Sequence, residues 1–310
     1  MITILSGGRG TPKLIEGLRR LIDDSKMTVI VNTADDFWWN DLYISPDLDT
    51  VVYLFSNLLD TSKYWGVKND TFNFLNQARK YGIHWDWFNI GDKDLAMHII
   101  RTNMLRRGYN LTEITKYICK KLGIKAKIYP MSNDKVDTYV YTDIGKIHIQ
   151  EFLVKYKADL KVEGIVFEGL DDARPPSEVI NSIVNSKLIL IGPSNPINSI
   201  GPIININEIK SSIAKSNAIR IAVSPIISGR PVSGPADKFM RACGYEPSPI
   251  GLAEVYRGLI DVLVIDNLDK RYADILSNRY NISTYTTNIL MNTDDDKLRL
   301  AAEILKIANM

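Results

Sequence analysis

The stretch ITILSGGRGTPKLIEGLRRLI, residues 2–22, decides the fold class. A strand-like run, ITIL, enters a turn holding Gly7, Gly8 and Gly10, and an amphipathic helix follows with Leu14, Leu18, Leu21 and Ile22 on one stripe. A strand, a glycine turn and a helix N-terminus form an anion site, because unpaired N–H groups point outward and the missing side chains let a phosphate approach. Lys13 lies one turn into the helix, within reach of such an anion, and Pro12 suits a first turn, where its absent N–H costs nothing. SGGRGTPK fits neither standard phosphate motif. In GxGxxG the last glycine position is Lys13, which argues against a nicotinamide oxidoreductase, and the GxxxxGK[ST] spacing fails. The plainer reading of these glycines is a tight turn.

Working outward, TVIVNT (28–33), AKIYP (126–130), GIVFEG (164–169), LILIG (188–192), IRIAVSP (219–225) and DVLVID (261–266) read as further buried strands. Helical patterns lie between them, and Gly123 and Gly244 stand where helices end. The alternation predicts an α/β, Rossmann-like fold, a mostly parallel sheet with helices on both faces, in a single domain spanning residues 1–310. Residues 60–125 carry successive helical patterns and read as a helical insert over the sheet. TYVYTDIGKIHIQEFLV (138–154) alternates with period two around DIGK and predicts a β-hairpin. The C-terminal DDDKLRLAAEILKIA reads as a closing helix with acids in its first turn.

Composition narrows the class. With 310 residues, 45% hydrophobic, 24% charged and a net charge of +2, the chain is enzyme-sized and near charge balance. Lys and Arg are scattered through helices, so no nucleic-acid stripe is expected. Cys119 and Cys243 are far apart and read as buried thiols. No apolar run approaches membrane-spanning length and no leader precedes the first strand, so the expected compartment is the cytoplasm.

Two more segments behave like the opening turn. IGPSNPINSIGP (191–202) follows one strand and offers Ser194, Asn195 and Ser199 on a proline-stiffened backbone; VSPIISGRPVSGPADK (223–238) follows the next. Open α/β sheets bind ligands beyond the carboxyl ends of their strands, so these loops should converge with the first. VNTADDFWWNDLYISPDLDT (31–50) carries Asp35, Asp36, Asp47 and Asp49, where a ribose-reading acid would need one. Clustered carboxylates suit Mg²⁺, a hard cation that keeps phosphates as partners. Solvated turn chemistry is the alternative, with Asp49 capping the helix TVVYLFSNLL. Phe37, Trp38 and Trp39 either seal the loop onto the body or form a flat apolar wall for a planar ligand, with Trp65, Trp85 and Trp87 adding aromatic surface, and core packing is the commoner fate of such residues. In IGDKDLAMHIIRT (90–102), Asp92 reads as an N-cap, Lys93 stays open, and His98 reads as a structural histidine without a helically spaced acid; His84 and His148 carry no signal. No nucleophile elbow or zinc signature appears, and the remaining groups suit displacement at phosphorus.

SGGRGTPKL, VNTADDFWW, SPDLDTVVYLF, WGVKNDTF, GDKDLAMHIIRT, PMSNDKVDTYV, IGPSNPINSIGPI, AVSPII and PVSGPADKFM together resemble the CofD family, 2-phospho-L-lactate transferase, from residue 3 to about 266. The resemblance implies completion of the core of the deazaflavin coenzyme F-420. A lactyl- or enolpyruvyl-diphosphoguanosine donor is joined to the deazaflavin alcohol Fo in a Mg²⁺-dependent reaction that releases GMP, in a homodimer. It implies that Asp49 and Lys93 meet the deazaflavin, and Trp38 is placed with them. Asp49 is the expected catalytic residue. Gly7, Gly8, Gly10, Thr11, Lys13, Ser194, Asn195 and Ser199 hold phosphate and nucleotide, and Asp36, Asp47 and Asp49 hold metal, with Asp35 beside them. The chain departs from the family pattern at Lys93, where Arg is commoner, at Asp237 for a glycine, and at Asn133 for an acid. The rival reading is a non-catalytic UDP-sugar-binding regulator of the CofD-like class, whose second turn carries glycines where this chain has Phe37, Trp38 and Trp39.

Overall fold

The computed structural model describes residues 1–83 and 87–310. Seven strands form one parallel sheet: β1 (Ile2–Ser6), β2 (Met27–Val31), β3 (Lys127–Pro130), β4 (Leu188–Ile191), β5 (Ile219–Val223), β6 (Val262–Asp266) and β7 (Ser283–Thr287). Their order across the sheet is β7-β6-β5-β4-β1-β2-β3. Alternate residues of a strand point to opposite faces, so the sheet carries two cores. Ile2, Ile4, Leu188, Leu190, Ile221 and Val223 pack with the helices Gly10–Leu18, Pro46–Phe55, Leu111–Lys121 and Asp294–Ile307. Leu5, Ile189, Ile191, Ala222 and Leu263 pack with Ser177–Val184, Asn207–Ala214, Ala236–Ala242 and Pro249–Val255. Burial on both faces is why β1, β2, β4, β5 and β6 are near-continuous apolar runs in the sequence.

The topology positions the site. From β1 the chain steps outward to β2 and β3, then returns to the other flank of β1 as β4 and moves outward again. β1 and β4 pair in parallel from Ile2↔Leu188 to Leu5↔Ile191, so their following loops emerge side by side where the connections diverge. A crevice opens there beyond the carboxyl ends.

Several expectations are corrected. GIVFEG is not in the parallel sheet: Val162–Glu168 pairs antiparallel with Asp137–Thr142, which forms the DIGK hairpin with Gly145–His148. Its half-buried pattern marks a strand with one wet face. The edge strand β7, STYTT, is polar enough to escape an apolar-run reading. Within residues 60–125, helices Asn73–Lys80 and Asp92–Arg106 form the added layer, whereas Leu111–Lys121 places Leu111, Ile114 and Ile118 directly in the sheet core. Cys119 is buried, but Cys243 is exposed at the end of helix Ala236–Ala242. Gly123 and Gly244 follow their helices with φ of 67° and 80°. Among the described residues, no helix is long and apolar enough to cross a membrane.

Candidate functional site

A cleft of about 580 Å³ occupies the β1/β4 crevice. Gly8, Gly10 and Lys13 from the first turn, Ser194, Asn195 and Ser199 from the loop after β4, and Ser224 and Pro225 after β5 share its wall. The glycines have a packing reason. A Cβ on Gly10 would lie 1.9 Å from the Pro193 carbonyl oxygen, and one on Gly7 2.5 Å from that of Ser199, so the two loops interlock only without side chains there. Gly8 takes φ 58°, and its N–H donates to Asp47 Oδ1 at 2.8 Å. Gly7 and Thr11 are buried beneath the wall. The Thr11 N–H donates to Ser194 Oγ at 3.0 Å, and the two hydroxyls lie 2.7 Å apart, so Thr11 faces its neighbouring loop rather than a ligand. Asn195 accepts from the Ile197 N–H and leaves a buried Nδ2 donor without a partner. Lys13 stands over the Tyr64 ring at 5.2 Å, and burial, then Arg9 and Lys297, lower its pKa.

The four aspartates after β2 fall into three environments. Asp35 is 4% exposed, takes Asn198 Nδ2 at 3.4 Å, and leaves Oδ1 without a partner. Burial, followed by the nearby Asp47 carboxylate, pushes its pKa up to about 8. Asp47 is partly buried, also accepts from Asn32 Nδ2 at 3.1 Å, and is pushed by burial up to about 6. Two neighbouring oxygen ligands, one with an orphaned atom and neither in an ion pair among the described residues, fit a hard divalent cation. Asp36 turns inward: Tyr43 OH donates to it at 3.1 Å, and burial raises its pKa well above the usual carboxylate range. Asp49 is not a helix cap, and its carboxylate is already ion-paired. It sits inside helix Pro46–Phe55, and the buried Arg101 guanidinium takes both its oxygens, NH1 to Oδ2 at 3.0 Å and NH2 to Oδ1. Of the expected metal set, Asp47 stands beside Asp35, Asp36 is held by Tyr43 and Asp49 by Arg101, and Asp35 and Asp36 each keep one oxygen without a partner.

His98 corrects its sequence reading as well. Asp94, one helical turn earlier, lies 3.4 Å from Nε2, and Asp49 Oδ2 lies 3.7 Å from Nδ1. Tyr53 OH donates to Asp94 at 2.6 Å. One donor atom each from Asp49, Asp94 and His98 lie within 4.8 Å of one another. Arg101 already neutralises Asp49 there, so a dication would face a guanidinium, and the cluster suits a cation less well than Asp35 and Asp47.

Strand alternation sorts the aromatics. Phe37–Trp39 pairs with Leu42–Ile44 in a small hairpin. Phe37 stacks on Trp87 at 6.0 Å and meets Phe88 edge-on at 5.1 Å, and Trp39 lies 4.7 Å from Trp87. Trp38 points the other way, 50% exposed with its edge against Tyr43. Trp87, Phe88 and Trp65 line the cleft, so the planar wall comes from the insert and not from Trp38. His84 and Trp85 lie outside the described residues.

Lys93 is also outside the lining. Its Nζ donates to the carbonyls of Lys68 and Asn69 at 3.2 and 2.8 Å. Its neighbours tie WGVKNDTF to GDKD in space. Asp92 accepts the N–H groups of Asn73 and Phe74, opening helix Asn73–Lys80, while Asp70 accepts those of Lys93 and Asp94, opening helix Asp92–Arg106. Asp92 thus caps helix Asn73–Lys80, the preceding loop residue Asp70 caps helix Asp92–Arg106, and Asp92 is not the cap of its own helix. Asn133 accepts from Thr112 N–H and Oγ1 at 2.9 and 2.8 Å, a capping role that needs no acid. Asp237 opens helix Ala236–Ala242, whose Lys238 reaches the Ala158 carbonyl at 2.6 Å.

The family model described as 2-phospho-L-lactate transferase CofD matches residues 2–304. The 2-phospho-L-lactate transferase of Methanocaldococcus jannaschii is 43% identical over 310 residues, covering 99% of this chain and 97% of that protein. Its namesake from Methanosarcina mazei is 43% identical, covering 97% and 98%. A crystal structure of a UPF0052 family member from Bacillus halodurans superimposes with a TM-score of 0.66 over 98% of each chain at 16% identity, a likeness of fold alone. With the match running essentially end to end, this chain belongs to the CofD family, the 2-phospho-L-lactate transferases.

Proposed function

We propose that the cleft transfers a 2-phospho-L-lactyl, or phosphoenolpyruvyl, group from a lactyl-2-diphospho-5′-guanosine-type donor to the deazaflavin Fo, giving coenzyme F-420-0 and GMP. The terminal hydroxyl oxygen of Fo forms a bond to the β-phosphorus as the bond to the GMP oxygen breaks. A loose transition state puts little charge on the attacking oxygen, so its proton can pass to water late in the step. The observation that carries this reading is convergence. The glycine turn, the serine- and asparagine-bearing loop, the Asp35–Asp47 pair and the Trp87–Phe88 wall face one cleft at the sheet's switch point. Gly8, Gly10, Lys13, Ser194, Ser199 and the unpaired Asn195 amide line the diphosphate and nucleotide side, with Gly7 and Thr11 bracing it from behind. Asp35 and Asp47 would hold Mg²⁺, which supplies charge neutralisation on the diphosphate. Asp49, fixed by Arg101, orients the acceptor instead of taking its proton. A homodimer rests on family resemblance, and light scattering reads it directly.

Incubation with Fo, the guanosine donor and Mg²⁺ tests the proposal: stoichiometric GMP and F-420-0 are expected. UDP-sugar binding without turnover would overturn it in favour of the regulator.

A further inference from the structure

Lys157 stands on the wall of the cleft opposite in kind to the glycine turn, on the segment that also brings Gln150, Leu153 and Val154 to the lining. That segment is built unusually. A π-helical turn, Glu151–Lys155, is followed by two consecutive non-glycine residues in the left-handed region, Lys157 at φ 52° and Ala158 at φ 58°. Such backbone is held only where its surroundings over-determine it, and it concentrates at functional sites. Here the Ala158 N–H donates to the Phe152 carbonyl at 2.9 Å, Lys238 Nζ donates to the Ala158 carbonyl at 2.6 Å, and the fully buried Phe152 packs on Phe239 at 5.5 Å. The anchors hold the backbone and leave the Lys157 side chain at the cleft. Neighbouring lysines are matched with acids: Lys155 with Glu151 at 2.7 Å, and Lys161 with Glu163 at 3.1 Å. Lys157 has no ion pair or hydrogen bond among the described residues.

The group transferred by this family carries two kinds of anion, a phosphate and the carboxylate of lactate. Arg9 and Lys13 ride on the glycine turn, on the phosphate side. We infer that Lys157 is a specificity-determining residue that pairs with the carboxylate of the transferred hydroxy-acid group, selecting an acid-bearing donor over a bare nucleoside diphosphate. The inference rests on the proposed donor class. It gives the π-turn a purpose: the ammonium is delivered from a fixed backbone, so a lost contact is not replaced by a shift of the chain.

The experiment pairs Lys157→Met and Lys157→Arg with two ligands, the lactyl-diphosphoguanosine donor and GDP, using titration calorimetry and steady-state kinetics. The Met variant is expected to raise the donor KM by roughly tenfold or more, the scale of one charge-assisted hydrogen bond, with GDP affinity within about twofold of wild type. The Arg variant should recover most of the loss. Equal weakening of both ligands would make Lys157 a diphosphate contact and overturn the inference, as would no change in either. Wild-type protein that binds GDP but not the donor would fail the inference while leaving nucleotide binding intact, and wild-type protein that binds neither would fail the underlying reading instead.

Discussion

The turn after β1 and the acidic segment after β2 end at the same cleft, yet they work by opposite means. The first acts through backbone. Gly7 and Gly10 are small because the Pro193–Ser199 loop occupies the space a side chain would need. The second acts through side chains whose environments differ within 15 residues. Asp35 and Asp47 stand at the cleft with Asn198 and Asn32, Asp36 faces Tyr43, and Asp49, also at the cleft, is held by Arg101. A backbone site is specified locally, by the order strand, glycine, helix. A carboxylate's role is specified by whichever distant residue packs against it, and four identical residue types can take three roles.

The sharpest way to break that contrast is to remove the distant partner. Arg101→Leu leaves the Asp49 carboxylate buried without its countercharge, and a loss of about 3–5 kcal/mol is expected by urea denaturation. The double variant Asp49→Leu/Arg101→Leu should regain most of it, since the cost lies in the orphaned charge. A single variant that unfolds no more easily than wild type would mean that Asp49 is solvated and its environment no different from that of Asp47.

A second test strikes the backbone side. Gly10→Ala places a methyl group 1.9 Å from the Pro193 oxygen and must push the two loops apart. A loss of about 2–3 kcal/mol is expected, with GDP affinity falling alongside. Gly8→Ala meets no backbone that closely but keeps φ at 58°, so about 1–2 kcal/mol is expected. Equal effects would mean that turn conformation, not loop interlock, sets the requirement.

What could be read from the sequence follows the same division. β1, β2, β4, β5 and β6 are apolar runs and were open to periodicity; β7 is STYTT and was not. Convergence of the loops after β1, β4 and β5 follows from strand alternation alone. The assignment of Trp38 to the wall failed because hairpin pairing, which sets whether Trp38 or its neighbours face inward, depends on a two-residue turn at Asn40 and Asp41 with φ of 44° and 61°. Asp94 and His98 share a helical spacing that was legible, and they pair. The Asp49–Arg101 pair spans 52 residues and carries no local signal.

The cleft-facing pair supplies a gentler test, through pH. The Asp35 pKa is raised by burial and by Asp47, so the folded chain holds a proton that the unfolded chain releases. Its contribution is complete below the ordinary carboxylate pKa and is lost as pH rises through about 8. Without metal, the Tm should therefore fall by a few degrees between about pH 5 and pH 8.5, while Asp35→Asn flattens the slope. Mg²⁺ should raise the wild-type Tm more at the alkaline end, where the carboxylates are charged, and should leave Asp35→Asn nearly unmoved. A Mg²⁺ shift that survives in Asp35→Asn would put the cation elsewhere, with the Asp49, Asp94 and His98 cluster the next place to look.

The smallest effect belongs to Lys93, where the two modes meet. Its ammonium holds the carbonyls of Lys68 and Asn69, and the same loop carries Trp65 and Gly66 to the cleft. On the proposed reading Lys93 would act on the acceptor through backbone, at one remove, where the family resemblance implies direct contact with the deazaflavin. Lys93→Met should cost under about 1 kcal/mol, because Asp70 and Asp92 still cap both helices and the lost contacts are exposed. It should raise the KM for Fo about threefold, with kcat and GDP affinity unchanged, since only the aromatic wall loosens. A rise of a hundredfold would mean that the ammonium leaves the loop and touches the acceptor itself, making Lys93 a side-chain contact of the kind Asp35 and Asp47 represent.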